Sequence, residues 1–350
     1  MSANITFKNS IIVHKLFIIL TVLSMYACSP NEHVKDLSDI KIELSTLRFE
    51  QELFTCKSAQ EILTLSEKHP YFYDVYTKTI AASNIYRPGF DEKDIAAELY
   101  KYIAHHNMDS LYKITQNLYG DFKDYEEELN TASKYIKFYF PDEKITGINT
   151  FISTFHYGSV FDQEQKAFGI GLDMYLGREY EVYGLLNPEQ FPLYRVKKFE
   201  PYRIVPNCIQ TFVDYKVPSS NATNFIEQAV YEGKKMYLLD LLMPEYHDSL
   251  KINYLEGQIE WVEDQEENMW SYLVEREVLY SSDKNSYQKH YFNESPFTTP
   301  FGNESSPRTG VWIGWQIVKK YMKENPEVSI SQLLADEDLN GIFRKSGYRP

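Results

Sequence analysis

NTFISTFHYG at residues 149–158 and KAFGIGLDMYLG at residues 166–177 are both rich in β-branched and aromatic residues. They are separated by the polar SVFDQEQ (159–165). That composition predicts two paired antiparallel strands joined across a short polar connection. Upstream, IKIELSTLRF (40–49) places Ile40, Ile42, Leu44 and Leu47 in near-alternation before the mixed FEQELF, which reads as a strand running into a helical turn.

Everything outward from these segments has helical texture. Between Lys57 and Phe140, Ser58 is placed to cap AQEILTLSEKH and Asp91 to cap EKDIAAELYKYIAHH. In DYEEELNTASKYIKFYF (124–140), Leu129, Ala132, Ile136 and Tyr139 recur at spacings of three and four, and Pro141 ends the run. Further helices are predicted at NCIQTFVDYKV (207–217), at NFIEQAVYEGKKMYLLDLLM (224–243) and at GVWIGWQIVKKYMKE (310–324). The expected fold is a mostly helical single α+β domain with a small, largely antiparallel sheet.

The N-terminus has a different logic. Lys8 and Lys15 precede the apolar run Leu16–Leu23, and Ala27 then leads into Cys28. This is the layout of a signal peptide, and its apolar run falls well short of the ~20 residues that span a bilayer. Cys28 is therefore the expected anchor: its thiol receives a diacylglycerol, the precursor is cut before it, and palmitate-class acyl chains hold the mature N-terminus to a membrane. Residues 1–27 are assigned to the signal peptide, 28–38 to a lipidated N-terminus and short tether, and 39–350 to one globular domain.

Composition narrows the function. The 43% of hydrophobic residues is enough for a folded core, and the net charge of −14 would repel polyphosphates, so nucleic acid is excluded as a partner. None of the eight histidines stands in a His-Glu-x-x-His pattern and no Gly-x-Ser-x-Gly occurs, so the expectation is no catalytic residue, no metal and no cofactor. Cys56 and Cys208 remain as a pair of free thiols or a bridge. The Gly169-Ile170-Gly171 step lacks the third glycine of a phosphate loop and reads as close backbone approach. Four Asn-x-Ser/Thr triplets are incidental in a bacterial lipoprotein.

Two weaker constellations stand out as a candidate interaction or relic site. Glu227 and Glu232, five residues apart on one helix, point about 140° away from each other and cannot pair by themselves. Asp173 could join one of them across the core in an unconventional carboxylate site, although structural salt bridging is the simpler reading of all three. Trp312 and Trp315 form an aromatic stripe with Tyr321, either a core helix packed through Gly310 and Gly314 or a docking surface for protein or glycan.

GLDMYLG (171–177), AVYEGKKMYLLDLLMP (229–244), QIEWVEDQEENMW (258–270), LYSSD (279–283), SPRTGVWIGWQIVKKYM (306–322) and IFRKSGYRP (342–350), in this order, resemble the gliding motility-associated lipoprotein GldB family. The resemblance implies a cell-envelope lipoprotein, facing the periplasm, that supports gliding and the associated protein secretion apparatus and has envelope proteins of that machinery as partners. That family is itself similar to zinc peptidases, with Glu232-Gly233 and GVWIGWQIV matching their downstream parts. The helix at NCIQTFVDYKV, where the ligand histidines would stand, holds none. The resemblance thus implies a degenerate zinc-peptidase-like scaffold without enzymatic activity; the alternatives are an envelope hydrolase with a noncanonical carboxylate site and a glycan-binding lipoprotein.

Overall fold

A four-stranded sheet organises the molecule. In the computed structural model, which describes residues 31–82, 85–86 and 89–350, β1 (Ser45–Arg48), β2 (Gly147–Phe151), β3 (Ser159–Asp162) and β4 (Ala167–Gly171) lie in the order β1-β2-β4-β3. The strand content is as small as the sequence predicts, but the pairing sense is not. β2 pairs β4 in parallel, with Ile148 beside Phe168 and Thr150 beside Ile170, and β1 pairs β2 in parallel as well. Antiparallel pairing occurs only between β3 and β4, so the largely antiparallel expectation is corrected to a mixed sheet. The physical reason lies in SVFD (159–162): what reads as a polar connection is itself a strand, because Phe161 packs against Phe168 of β4, at 5.5 Å between ring centroids. Inserting that strand lets β2 and β4 run the same way.

The glycines of β4 have a packing role. A β-carbon on Gly171 would lie 1.8 Å from the Tyr157 carbonyl oxygen and 3.2 Å from the Phe151 ring, so this position keeps the loop and the ring close. The phosphate-loop reading has no support here.

Helices cover both faces. Phe151 and the helices α1 (Phe49–Thr55), α2 (Ala59–Lys68) and α3 (Glu92–Ala104) form one core, built on Phe49, Leu53, Ile62 and Leu99. Ser58 and Asp91 cap α2 and α3 through their side chains. Ile148, Phe168 and Ile170 join the larger core with α4 (His106–Tyr119), α5 (Lys123–Tyr139), α6 (Ile204–Lys216), α7 (Phe225–Leu242), α8 (Thr309–Glu324) and α9 (Leu339–Ser346). In α5, Leu129, Ala132 and Ile136 are buried as their spacing requires. β1 is tied to β2 by a buried polar link: Arg48 Nη2 lies 2.8 Å from Glu50 Oε1, and Thr150 donates to Glu50 Oε2 at 2.6 Å.

Leu37–Pro350 form one compact unit. Among the described residues no helix is long and apolar enough to cross a membrane. Cys28, the expected signal peptide and the start of the expected tether lie outside the described residues.

Candidate functional site

The three carboxylates singled out in the sequence are held at three separate places. Asp173 follows β4 and is fully buried. It accepts hydrogen bonds from the Ser153 and Phe155 amides at 3.0 and 2.6 Å and from Ser153 Oγ. These contacts hold the loop after β2, in which Thr154 and Phe155 both adopt positive φ, at 58° and 65°. Burial pushes the Asp173 carboxyl up to about 6, against the opposing pull of the Phe155 and Ser153 hydrogen bonds. Its role is to fasten a strained turn.

Glu227 belongs to the start of α7. It accepts from the Thr223 amide and hydroxyl at 2.7 and 2.9 Å, and from Asn340 of α9 at 2.5 Å. It therefore locks a helix entrance to the C-terminal helix. Asp173 serves the loop after β2, and Glu227 and Glu232 are bound to separate partners of their own, so each has a structural bonding role. The alternative in which Asp173 joins one of the glutamates has no contact behind it among the described residues.

Trp312 and Trp315 are core residues, 3% and 0% exposed, so the docking-surface reading of this stripe is corrected. Their rings meet edge to face at 5.7 Å. Each indole nitrogen is used internally: Trp312 donates to Glu266 at 2.9 Å and Trp315 to Asp240 at 2.6 Å. The indoles donate to the buried Asp240 and the partly buried Glu266, which explains why Trp rather than Phe stands at both positions.

Glu232 is the carboxylate with neighbours that carry meaning. On α6, Gln210 and Asp214 stand four residues apart and share a helix face, with Gln210 Nε2 3.4 Å from Asp214 Oδ1. Lys235 Nζ lies 3.1 Å from Asp214 Oδ1 and 3.7 Å from Glu232 Oε2, and Gln228 donates to Glu232 Oε1 at 2.9 Å. Burial works to lower the Lys235 ammonium, but Glu232 and Asp214 outweigh it and hold its pKa above the ordinary value. Sequence reasoning missed Asp214 and Lys235. The four-residue step from Gln210 to Asp214, on the helix where ligand histidines were sought, was the available signal.

This arrangement does not fit a zinc ion. Two carboxylates, two amides and an internal ammonium replace the imidazoles and thiolates of zinc sites. The lysine already neutralises the charge a metal would meet. Among the described residues no group of three or more His, Cys, Asp or Glu is placed to hold a metal. Cys56 and Cys208 are free thiols, and burial pushes Cys208 up to about 12, an unreactive thiol.

No curated protein and no solved structure matches the chain. A family model described as gliding motility protein GldB matches residues 30–350, nearly the whole chain beyond the segment that precedes Cys28. The order of resembling segments and the length of this match lead to one conclusion: the chain belongs to the gliding motility protein GldB family, a lipoprotein family of the cell envelope with a role in gliding.

Proposed function

We propose that this lipoprotein acts without catalysis, as a periplasm-facing scaffold for the gliding machinery and its associated protein secretion apparatus, anchored through acylated Cys28. The observation that carries the non-enzymatic part is Lys235. Its ammonium lies between Asp214 of α6 and Glu232 of α7, where the two helices bring their carboxylates to one cation. A hydrolytic site at this place needs an open metal position or a titrating acid and base, and here the carboxylates are tied to a permanent cation.

What supports the anchored part is the layout around Cys28, with Lys8 and Lys15 before a short apolar run and Ala27 before the cysteine. Chromosomal replacement by Cys28→Ala and by Glu232→Gln tests both parts. Cys28→Ala should lose acylation, accumulate as precursor and abolish gliding and the associated protein secretion, while Glu232→Gln should glide and secrete like the parent. Normal acylated protein in the first strain rejects the anchor. Loss of motility in the second, with the fold intact, rejects the non-enzymatic reading.

A further inference from the structure

A cavity of 320 Å³ opens between the start of β3, the N-terminal half of α6 and the segment around Arg195. Its wall is polar and directional. Ser159, Tyr175 and Asn207 form a chain, with Asn207 Nδ2 donating to Tyr175 Oη at 3.1 Å and Ser159 Oγ 2.9 Å from the same oxygen. On the other side stand Arg195, Lys198 and Glu294.

The charge on that side is cationic although the chain carries −14 overall. Lys198 is buried, with Nζ 2.8 Å from Glu294 Oε2. Arg308 approaches the other oxygen of Glu294 at 3.4 Å. Burial works to raise the Glu294 carboxyl, and Lys198, Arg308 and Arg195 together override it and hold it below its ordinary value. Arg203 stands behind Asn253, donating to its Oδ1 at 2.7 Å. Glu294 is thus outnumbered by the surrounding guanidinium and ammonium groups. Arg195 is exposed and, beyond one bond to the Gln190 carbonyl at 3.0 Å, has guanidinium donors left for a guest.

The second observation is the sheet edge. β3 pairs with β4, and among the described residues no other strand pairs with it. All four of its residues are partly exposed. A free edge accepts an extended guest by strand addition. If the guest runs antiparallel to β3, it passes Asp162 first and Ser159 last, so its C-terminal end arrives at the cavity that Gly158 and Ser159 line.

We propose that β3 and this cavity together form a docking site for an extended peptide tail, with the tail pairing along β3 and its terminal carboxylate held by Arg195 and Lys198. Charge complementarity selects the occupant: Glu294 alone does not match the cations around it, a terminal carboxylate adds an acceptor for the remaining donors of Arg195 and Lys198, and the Asn207, Tyr175 and Ser159 chain meets the last peptide groups. An acidic sugar would satisfy the cations but would make no use of the strand edge.

The test is binding of the purified full-length protein to an array of short random peptides with free carboxyl ends and to a matched array of carboxamides, with glucuronic acid titrated separately. Free-acid peptides should bind about tenfold or more tightly than their amides. Arg195→Gln should remove that preference while leaving the melting curve unchanged, and Arg195→Lys should retain most of it. Binding indifferent to the carboxylate, binding unaffected by Arg195→Gln, no peptide binding on either array, or saturable glucuronic acid binding without peptide binding would each overturn the assignment.

Discussion

Gly233 of α7 and Gly314 of α8 cross so closely that a β-carbon on Gly233 would lie 2.1 Å from the Gly314 carbonyl oxygen, and one on Gly314 would lie 1.7 Å from the carbonyl oxygen of Ala229. Both contacts are to backbone, so neither can be relieved by rotating a side chain. The two helices touch through their main chains at this point. The remaining C-terminal core, including Trp315 and Val318, is arranged around that crossing.

Gly314→Ala should therefore force α7 and α8 apart. Alanine gains about 1 kcal/mol of helix propensity over glycine, but overpacking a tight core costs about 1–3 kcal/mol or more. The net expectation is destabilisation, read as a lower urea midpoint with unchanged slope. Gly184→Ala is the control, because a β-carbon there meets nothing within 4 Å and should shift stability by less than about 0.5 kcal/mol. Equal midpoints for both variants would show that the crossing is loose.

A second expectation concerns the buried charges beneath Trp315. Asp240 and Lys251 pair at 2.9 Å with side chains 4% exposed each, and the same carboxylate receives the Trp315 indole N–H. Lys251→Met removes the cation and leaves Asp240 to Trp315 and to Lys319, which is 3.8 Å away. Breaking such a pair from one side costs about 3–5 kcal/mol. Thermal and urea unfolding measure it, and a change under about 1 kcal/mol would mean that Lys319 takes over fully.

What the sequence made legible was local. Ser58 and Asp91 cap their helices through their own side chains, as their positions before apolar runs required. Pro141 follows the C-cap Phe140 at the end of α5. Strand partnership was not legible, because β1 meets β2 only across the whole block of N-terminal helices, and no residue near Ser45 announces Gly147 as its neighbour. For the same reason Asp214 and Lys235 were invisible as a pair: each looks like a solvated helix charge until α6 is laid beside α7. Trp312 and Trp315 show the converse, since their spacing was plain but only packing could decide between a surface and the core.

Stability should fall as pH rises through the range in which Asp173 titrates. Its folded pKa of about 6 lies above the ordinary 3.8, so between these values the native state holds a proton that the unfolded state has released, and stability decreases with rising pH. At about 1.4 kcal/mol per pH unit the full interval is worth about 3 kcal/mol. Asp248 and Glu294, both held below their ordinary 3.8 and 4.5 despite burial, act in the opposite sense, Asp248 below this interval and Glu294 from its acid end downward, so the decline is cleanest above about pH 4.5. Urea midpoints at stepped pH should show the decline between pH 4 and 6 in the parent and a flattened profile in Asp173→Asn. The same slope in both proteins would remove Asp173 as its source.

The last expectation tests whether α6 and α7 can be given a metal site. Gln210 and Asp214 share one face of α6, and Asp214 and Glu232 converge on Lys235 from two helices. Two imidazoles at that spacing plus one carboxylate make a three-ligand zinc set that leaves a fourth position for water. The combined variant Gln210→His, Asp214→His, Lys235→Met supplies the imidazoles and removes the resident cation, which would otherwise repel the ion. It should bind about one zinc per chain, and saturating metal should stabilise it by about 2.7 kcal/mol at a hundredfold excess over the dissociation constant. The parent should hold no stoichiometric zinc and should melt at the same temperature with or without chelator. Because Gln210 and Asp214 are partly exposed and exposed, respectively, the changes on α6 should be tolerated by the fold. Circular dichroism checks that point before metal is added. A folded variant that takes up no zinc would show that Gln210, Asp214 and Glu232 do not converge on one point. Tight zinc in the parent, lost with stability in chelator, would instead place a metal where Lys235 is argued to stand.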